Sequence, residues 1–313
     1  MKNKNVLVTG GAGFIGSNLV KHLIQEGNRV TILDNFMSGY RSNLDPFPTA
    51  TIIEGDVRDQ NVVELAMKGI EVVFHLAASV GNKRSIDHPI TDAGINVLGT
   101  IQVLEAARKE GVRKIVTSSS AGIFGELKTM PIKEDHPIEP DSPYGCTKLC
   151  EEKLCLSYAK LYDIDAVALR YFNVYGPNQR FDAYGNVIPI FVFRMLNNES
   201  LLIYGDGEQT RDFVHVNDVV QANIKAADSQ GVSGAFNIAS GTRVTINRLV
   251  ELISKANQNV VKIEYGPERA GDVRHSLADI SLAYQTFGYF PQVSLENGIE
   301  EYVKWAQKLS VKV

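Results

Sequence analysis

The first half of the chain alternates short runs of aliphatic and β-branched residues with longer stretches in which apolar residues recur every three or four positions. Asn5-Val6-Leu7-Val8, Arg29 to Leu33, Thr51-Ile52-Ile53, Val72 to Leu76, Lys114 to Thr117 and Ala166 to Leu169 read as strands. Between them, Phe14 to Glu26 (closed by Gly27), Gln60 to Met67, Ile90 to Gly111 and Pro143 to Tyr162 read as helices. The run Val72 to Leu76 has no polar face, as expected of a strand buried on both sides. Strand–helix alternation requires crossovers, so the pattern predicts an α/β protein with a doubly wound parallel sheet. Past about Tyr175 the texture changes. Pro177 to Val187 reads as a long loop, and helices and short strands then alternate less regularly. The expectation is a first domain over 1–175 and a smaller mixed α/β lobe over 176–313. Chain segments of the second would return to the first.

The 313 residues suit about two domains. Composition narrows the partners: 44% hydrophobic and 22% charged residues argue against disorder, and a net charge of −4 supplies no basic excess for nucleic acid. No apolar run approaches the ~20 residues that span a bilayer, and Met1 to Gly16 does not read as a signal peptide. Cys146, Cys150 and Cys155 are too few and too close for a disulfide framework, and no nearby His completes a metal site. They read as helix-face residues in a reducing compartment, so a cytoplasmic protein without a metal is expected.

Thr9-Gly10-Gly11-Ala12-Gly13-Phe14-Ile15-Gly16 links the first strand to the first helix. Gly10 permits the tight turn, Gly13 lets the backbone approach a pyrophosphate, and Gly16 lets helix pack on strand. Phe14 and Ile15 open the helix, whose free N–H groups and dipole favour an anion. Asp34 closes the second strand eighteen residues beyond Gly16, where a carboxylate bonds an adenosine ribose and repels a 2′-phosphate. The reading is a Rossmann-type site for NAD rather than NADP.

Tyr144 and Lys148 lie four apart at the start of a helix, hence on one face, and Ser120 follows the fifth strand at the sheet's carboxyl edge. An ammonium favours phenolate, phenolate can take a hydroxyl proton, and a serine can steady the developing carbonyl. His75, in an apolar strand, reads as a core histidine, and packing is favoured for His215 and His275.

These motifs, with Asp34-Asn35, Gly55-Asp56-Val57, Leu76-Ala77-Ala78, Asn96, Ser118-Ser119-Ser120-Ala121, Ser142-Pro143-Tyr144-Gly145, Arg170 to Pro177, Arg211 to Asp218 and Arg269-Ala270-Gly271-Asp272, resemble the extended short-chain dehydrogenase/reductases over nearly the whole chain. The likeness is greatest to nucleotide-sugar 4-epimerases of the UDP-galactose and UDP-N-acetylglucosamine kind. The resemblance implies NAD held by Asn35, Asp56 and Val57 near adenosine, with Ala77 and Asn96 along the cofactor channel. It implies Tyr144 as base, Lys148 on the nicotinamide ribose and Ser120 at the sugar oxygen. It also implies a UDP-sugar held by Asn173, Arg211 and Arg269 at the diphosphate, Asp272 at the uridine ribose and Tyr204 near uracil. Ser276 falls where relatives restricted to plain hexoses carry a bulky residue, which leaves room for a 2-acetamido group. Phe124 stands where relatives often place Tyr.

The 4,6-dehydratases of this kind carry Asp-Glu directly after the small hydroxyl residue; here Ala121 and Gly122 stand there, which argues against dehydration. Lys83 and Arg84, in an expected loop after the fourth strand, leave uronic-acid substrates open, as in a UDP-glucuronate 4-epimerase or a decarboxylase. A non-catalytic NAD-binding regulator is the reading from another class. Relatives pair as homodimers through a four-helix bundle, here Asn96 to Gly111 and Tyr144 to Tyr162.

Overall fold

The computed structural model describes residues 1–181, 186–268 and 273–310. Its first six strands are β1 (Asn5–Thr9), β2 (Arg29–Asp34), β3 (Thr51–Glu54), β4 (Val72–His75), β5 (Lys114–Ser120) and β6 (Asp165–Tyr171). The helices among them are α1 (Phe14–Gln25), α2 (Gln60–Met67), α3 (Asn82–Asp87), α4 (Pro89–Ala93), α5 (Thr100–Glu110) and α6 (Pro143–Leu161). Then come β7 (Asn173–Tyr175), α7 (Val187–Leu196), β8 (Leu201–Tyr204), β9 (Thr210–Arg211), β10 (Phe213–His215) and α8 (Val216–Asp228). The chain ends in β11 (Gly234–Ile238), β12 (Val244–Thr245), α9 (Ile246–Asn257), β13 (Ile263–Gly266), α10 (Ser281–Phe287) and α11 (Leu295–Ser310).

Seven strands form one parallel sheet in the order β3-β2-β1-β4-β5-β6-β11. This is the doubly wound Rossmann-type arrangement expected from the alternation. Successive residues of a strand point to opposite faces, and both faces are covered. Val6, Val8, Ile32, Phe74 and Val116 pack on one side with Leu19 of α1 and Val219 and Val220 of α8. Leu7, Leu33, Val73 and Ile115 pack on the other with Val63 and Met67 of α2, Val103 and Leu104 of α5 and Cys155 of α6. The strand order reverses between β1 and β4, which opens a crevice at their carboxyl ends, the usual ligand site of such sheets. Register places Thr9 beside His75, His75 beside Thr117 and Ser120 beside Tyr171 along that edge.

The later sequence is divided between two places. β11 pairs with β6 and so extends the first half's sheet, while α7, α9 and α11 pack around a separate core of Phe191, Met195, Leu249, Ile253, Ile299 and Tyr302. Two local expectations need correction. The helix expected over Ile90 to Gly111 is interrupted by a π-helical stretch, Gly94–Gly99, between α4 and α5. That stretch turns Asn96 fully inward, where its amide is held by Ser79, Asp92 and Thr147. Lys83 and Arg84 sit on the short helix α3 and not in a loop; Lys83 spans one turn to Asp87 at 2.6 Å. Among the described residues, no helix is long and apolar enough to cross a membrane, and no cluster of side chains could hold a metal ion.

Candidate active site

The glycine-rich turn lies at the mouth of the crevice. Gly10 is left-handed (φ 70°), and a β-carbon there would come within 2.8 Å of the Ala77 backbone nitrogen, so the turn fits only against the end of β4. Gly13 precedes α1, with no side chain capping the helix and no acid in its first turn. That leaves the N-terminal N–H groups and the positive end of the dipole facing the crevice beside Phe14 and Ile15. Gly16 packs so tightly on the turn that a β-carbon would lie 2.1 Å from the Gly10 carbonyl oxygen. Gly16→Ala should therefore force the helix off the strand, costing ~1–3 kcal/mol and loosening bound NAD, read by thermal melting and by the cofactor content of purified protein.

Asp34 is buried at the end of β2, and its two oxygens accept the Ala12 N–H at 2.9 Å and the Phe36 N–H at 2.8 Å. It thus also pins the glycine turn, a role its sequence position does not reveal. Burial pushes its carboxyl above the ordinary value, against the pull of those two N–H groups. Asn35 donates to Asp56 at 2.8 Å, and the Arg58 guanidinium doubly bonds the same carboxylate and holds it far below its usual range. Val57 is buried beside them, and Ala77 follows β4 with its N–H on the Thr9 hydroxyl at 3.2 Å. An adenosine diphosphate with free ribose hydroxyls suits this set: an uncapped helix end for the phosphates and a carboxylate edge that would repel a 2′-phosphate.

Across the crevice, Ser142 caps α6 by accepting the Gly145 N–H at 3.1 Å, with Pro143 in the first turn. Gly145 sits against β5's continuation, where a β-carbon would lie 2.4 Å from the Gly122 carbonyl oxygen. This contact brings Tyr144 beside Ser120, whose hydroxyl is near enough to favour the phenolate. Ser120 also accepts the Gly122 N–H at 3.1 Å, while the Tyr144 N–H is anchored on Ser85 of α3 at 3.0 Å. Lys148, one turn on, is 1% exposed; its ammonium donates to Ser118 at 3.1 Å and to Glu151 at 2.5 Å. Burial pushes the Tyr144 phenol up, and Lys148 and Ser120 pull it back down. The three residues singled out in the sequence are therefore gathered at one end of the crevice. His75 is buried, with its ring nitrogens on Thr9 (2.8 Å) and Thr100 (3.0 Å), and is pushed down to about 3, so it stays neutral.

Residues 6–239 match the NAD dependent epimerase/dehydratase family. The chain belongs to that family. It is 38% identical to the UDP-glucose 4-epimerase of Mycolicibacterium smegmatis, over 97% of this chain and 99% of that one. A UDP-N-acetylglucosamine 4-epimerase of Methanobrevibacter ruminantium M1, solved with UDP-N-acetylmuramic acid, superposes with a TM-score of 0.94 at 42% identity, covering 99% of this chain and all of that one. The UDP-glucose 4-epimerase of Thermotoga maritima, solved with UDP-glucose, gives 0.93 at 39% identity over 98% and 99% of the two chains.

In this NAD dependent epimerase/dehydratase fold, the side facing the later sequence is built around β7, β9 and β10. Asn173 donates to the Asp212 carbonyl at 3.0 Å, which ties β7 to the β9–β10 turn. Arg211 is half-buried and donates to the Thr210 carbonyl at 3.0 Å. Ser276 is buried and bonds Thr210 through its backbone at 3.1 Å, which places it one residue from Arg211 across that contact. Tyr204, at the end of β8, is 37% exposed and linked through its carbonyl to Gln209. Arg269 and Asp272 lie outside the described residues. Ser120 is followed by the short turn Ala121–Ile123, so positions 121 and 122 carry no proton-transfer group. Unanticipated from the sequence were the Asn96 network and Glu151 behind Lys148. The three-residue spacing of Lys148 and Glu151 on one helix is the signal that could have found the latter.

Proposed function

We propose that the protein is an NAD-dependent UDP-sugar 4-epimerase, interconverting UDP-N-acetylglucosamine with UDP-N-acetylgalactosamine and also accepting UDP-glucose and UDP-galactose. The observation carrying this reading is the meeting of Ser120, Tyr144 and Lys148 at the crevice, with Ala121 and Gly122 directly after them. The glycine turn, Asp34, Asn35, Asp56, Val57, Ala77 and Asn96 would hold NAD, which when bound would supply an acceptor for the hydride of the sugar's carbon 4. Tyr144 as phenolate takes the proton of the 4-hydroxyl and later returns it. Ser120 donates to the same oxygen, and Lys148 holds the nicotinamide ribose while favouring the phenolate. A 4,6-dehydratase would need a further acid and base; residues 121 and 122 offer none, which leaves hydride return, to the same face or to the other, as the course open to a neutral sugar.

Residues 1–175, with β11 and α8 added, form the NAD-binding unit in this reading, and the remainder holds the nucleotide. Asn173, Arg211 and Arg269 take the diphosphate, Asp272 the uridine ribose and Tyr204 the uracil. A homodimer through the helices around Asn96 to Gly111 and Tyr144 to Tyr162 is supported by exposed apolar side chains there, Leu98 at 60% and Leu161 at 70%. A cytoplasmic site of action goes with the three free cysteines.

The test incubates purified protein with UDP-glucose, UDP-galactose, both N-acetyl sugars and UDP-glucuronate, without added cofactor, and resolves the products. Epimerised N-acetyl sugars are expected; no conversion of any sugar, even with NAD supplied, would sink the proposal. The small, buried Ser276 supports the 2-acetamido assignment. Ser276→Tyr should cut the N-acetyl rate at least tenfold while UDP-galactose turnover survives, and full N-acetyl activity in that variant would refute the size gate.

A further inference from the structure

Glu151 is fully buried, an expensive place for a carboxylate, and the proposed chemistry makes no use of it. It lies directly behind Lys148, with Oε2 2.5 Å from the ammonium, while the Thr117 hydroxyl of β5 donates to Oε1 at 2.6 Å. The ammonium also donates to the neutral Ser118 hydroxyl. Lys148 is one turn from Tyr144, so three ionisable groups, phenol, ammonium and carboxyl, act on one another along one stretch of α6, with Lys148 and Glu151 closed off from solvent.

We infer that Glu151 is the buried counter-charge of Lys148, a positioning residue that sets how much of the ammonium's positive charge reaches the Tyr144 phenolate. The inference rests on Tyr144 being the base. With Glu151 ionised, Tyr144 faces a compact dipole; with Glu151 protonated or replaced by a neutral group, it faces an uncompensated cation. The second situation favours phenolate more than the first. Glu151 therefore holds Tyr144 less acidic than Lys148 alone would make it, so that the phenol formed on taking the sugar proton is a firmer holder of that proton.

Of the surrounding groups, most are neutral or paired, and Asp92 is the further charge that bears on Tyr144. On α6, Glu152 is engaged by Arg170 and Ser119, and Cys155 is pushed up by burial and stays a thiol; Cys150 is likewise pushed up. Tyr171 of β6 is pushed up and stays protonated, and His75 of β4 is neutral. Asp92 of α4 adds a negative charge on the Tyr144 side, tied to Thr147 and Asn96. Glu151 itself is pushed up by burial and drawn back by Lys148 and Thr117.

The experiment is the pH dependence of kcat for epimerisation, measured on protein carrying its NAD. Glu151→Gln should move the acid limb to lower pH by about one unit, in the direction of a strengthened cation. Glu151→Asp keeps the charge and should fall between the two. A role in folding alone would lower the melting temperature and leave the limb where it is. If Glu151→Gln does not accumulate folded, Thr117→Val gives the same reading: losing its hydrogen bond weakens the ionised carboxylate, and the limb again moves down, by less. A limb that stays put or rises in the folded Gln variant, or stays put in Thr117→Val, overturns the inference. Those outcomes are distinct from failure of the premise that Tyr144 is the base, in which Tyr144→Phe would keep its activity, and from failure of the epimerase reading, in which the parent would convert no sugar.

Discussion

Tyr144→Phe should lower kcat by about 10²–10⁴-fold, the usual worth of a general acid–base group, with NAD still bound. The substitution removes one oxygen and little volume. Helix α6 begins with its Ser142 cap, Pro143 and the Gly145–Gly122 contact, none of which involves the phenol, and the Tyr144 backbone N–H stays on Ser85. The variant should therefore melt close to the parent. Ser120 and Lys148 remain, but neither can take the sugar proton in its place: Ser120 is a weak base, and Lys148 is an ammonium, paired with Glu151, with no lone pair to offer. Measuring epimerisation together with the cofactor content of the purified variant checks the prediction. Activity within tenfold of the parent would remove Tyr144 from the chemistry.

The parts of this molecule that could be read from the chain are those whose cause is local. The turn from Thr9 to Gly16 follows from a strand, three glycines and a helix start; Tyr144 and Lys148 share a face because they are four apart; Ser120 stands at the carboxyl edge because its strand ends there. What escaped has distant causes. The π-helical stretch Gly94–Gly99 exists where Asn96 is drawn inward by Ser79 and Thr147, partners on other elements. Helix α3 is six residues long, too short for an apolar period, and is tied to α6 through Ser85. β11 joins the sheet through a pairing with β6 that nothing in its own five residues announces. Glu151 and Glu152 are adjacent acids in a helix, with no local sign that both are buried or that Glu152 answers a cation on another element, Arg170 of β6.

The second of those cations gives the largest expected effect on stability. Arg170 on β6 is 3% exposed and grips Glu152 with Nε at 2.9 Å and Nη2 at 2.8 Å, while Nη1 donates to the Glu134 carbonyl at 2.9 Å. Its guanidinium also lies 5.2 Å over the Phe124 ring, and Ser119 completes the carboxylate with a bond of 2.8 Å. Arg170→Met fills similar space but strands a buried carboxylate, and should destabilise the protein by about 3–5 kcal/mol at pH 7. The double variant Arg170→Met/Glu152→Leu removes both charges, so it should recover much of that loss. The pH dependence separates stranded charge from lost packing. In the parent, Arg170 holds the Glu152 carboxyl below its ordinary value, so the pair's contribution is present at neutral pH and is lost only as pH falls through that depressed value. In Arg170→Met, burial is opposed only by the Ser119 hydroxyl and the exposed Lys153, so the carboxyl rises, Glu152 takes up a proton on folding and the variant gains stability relative to the parent as pH falls from 7 to 5. Urea unfolding of parent and variant at the two pH values measures this gap directly. A deficit that does not change with pH would mean the loss is packing against Phe124 and not the charge of Glu152.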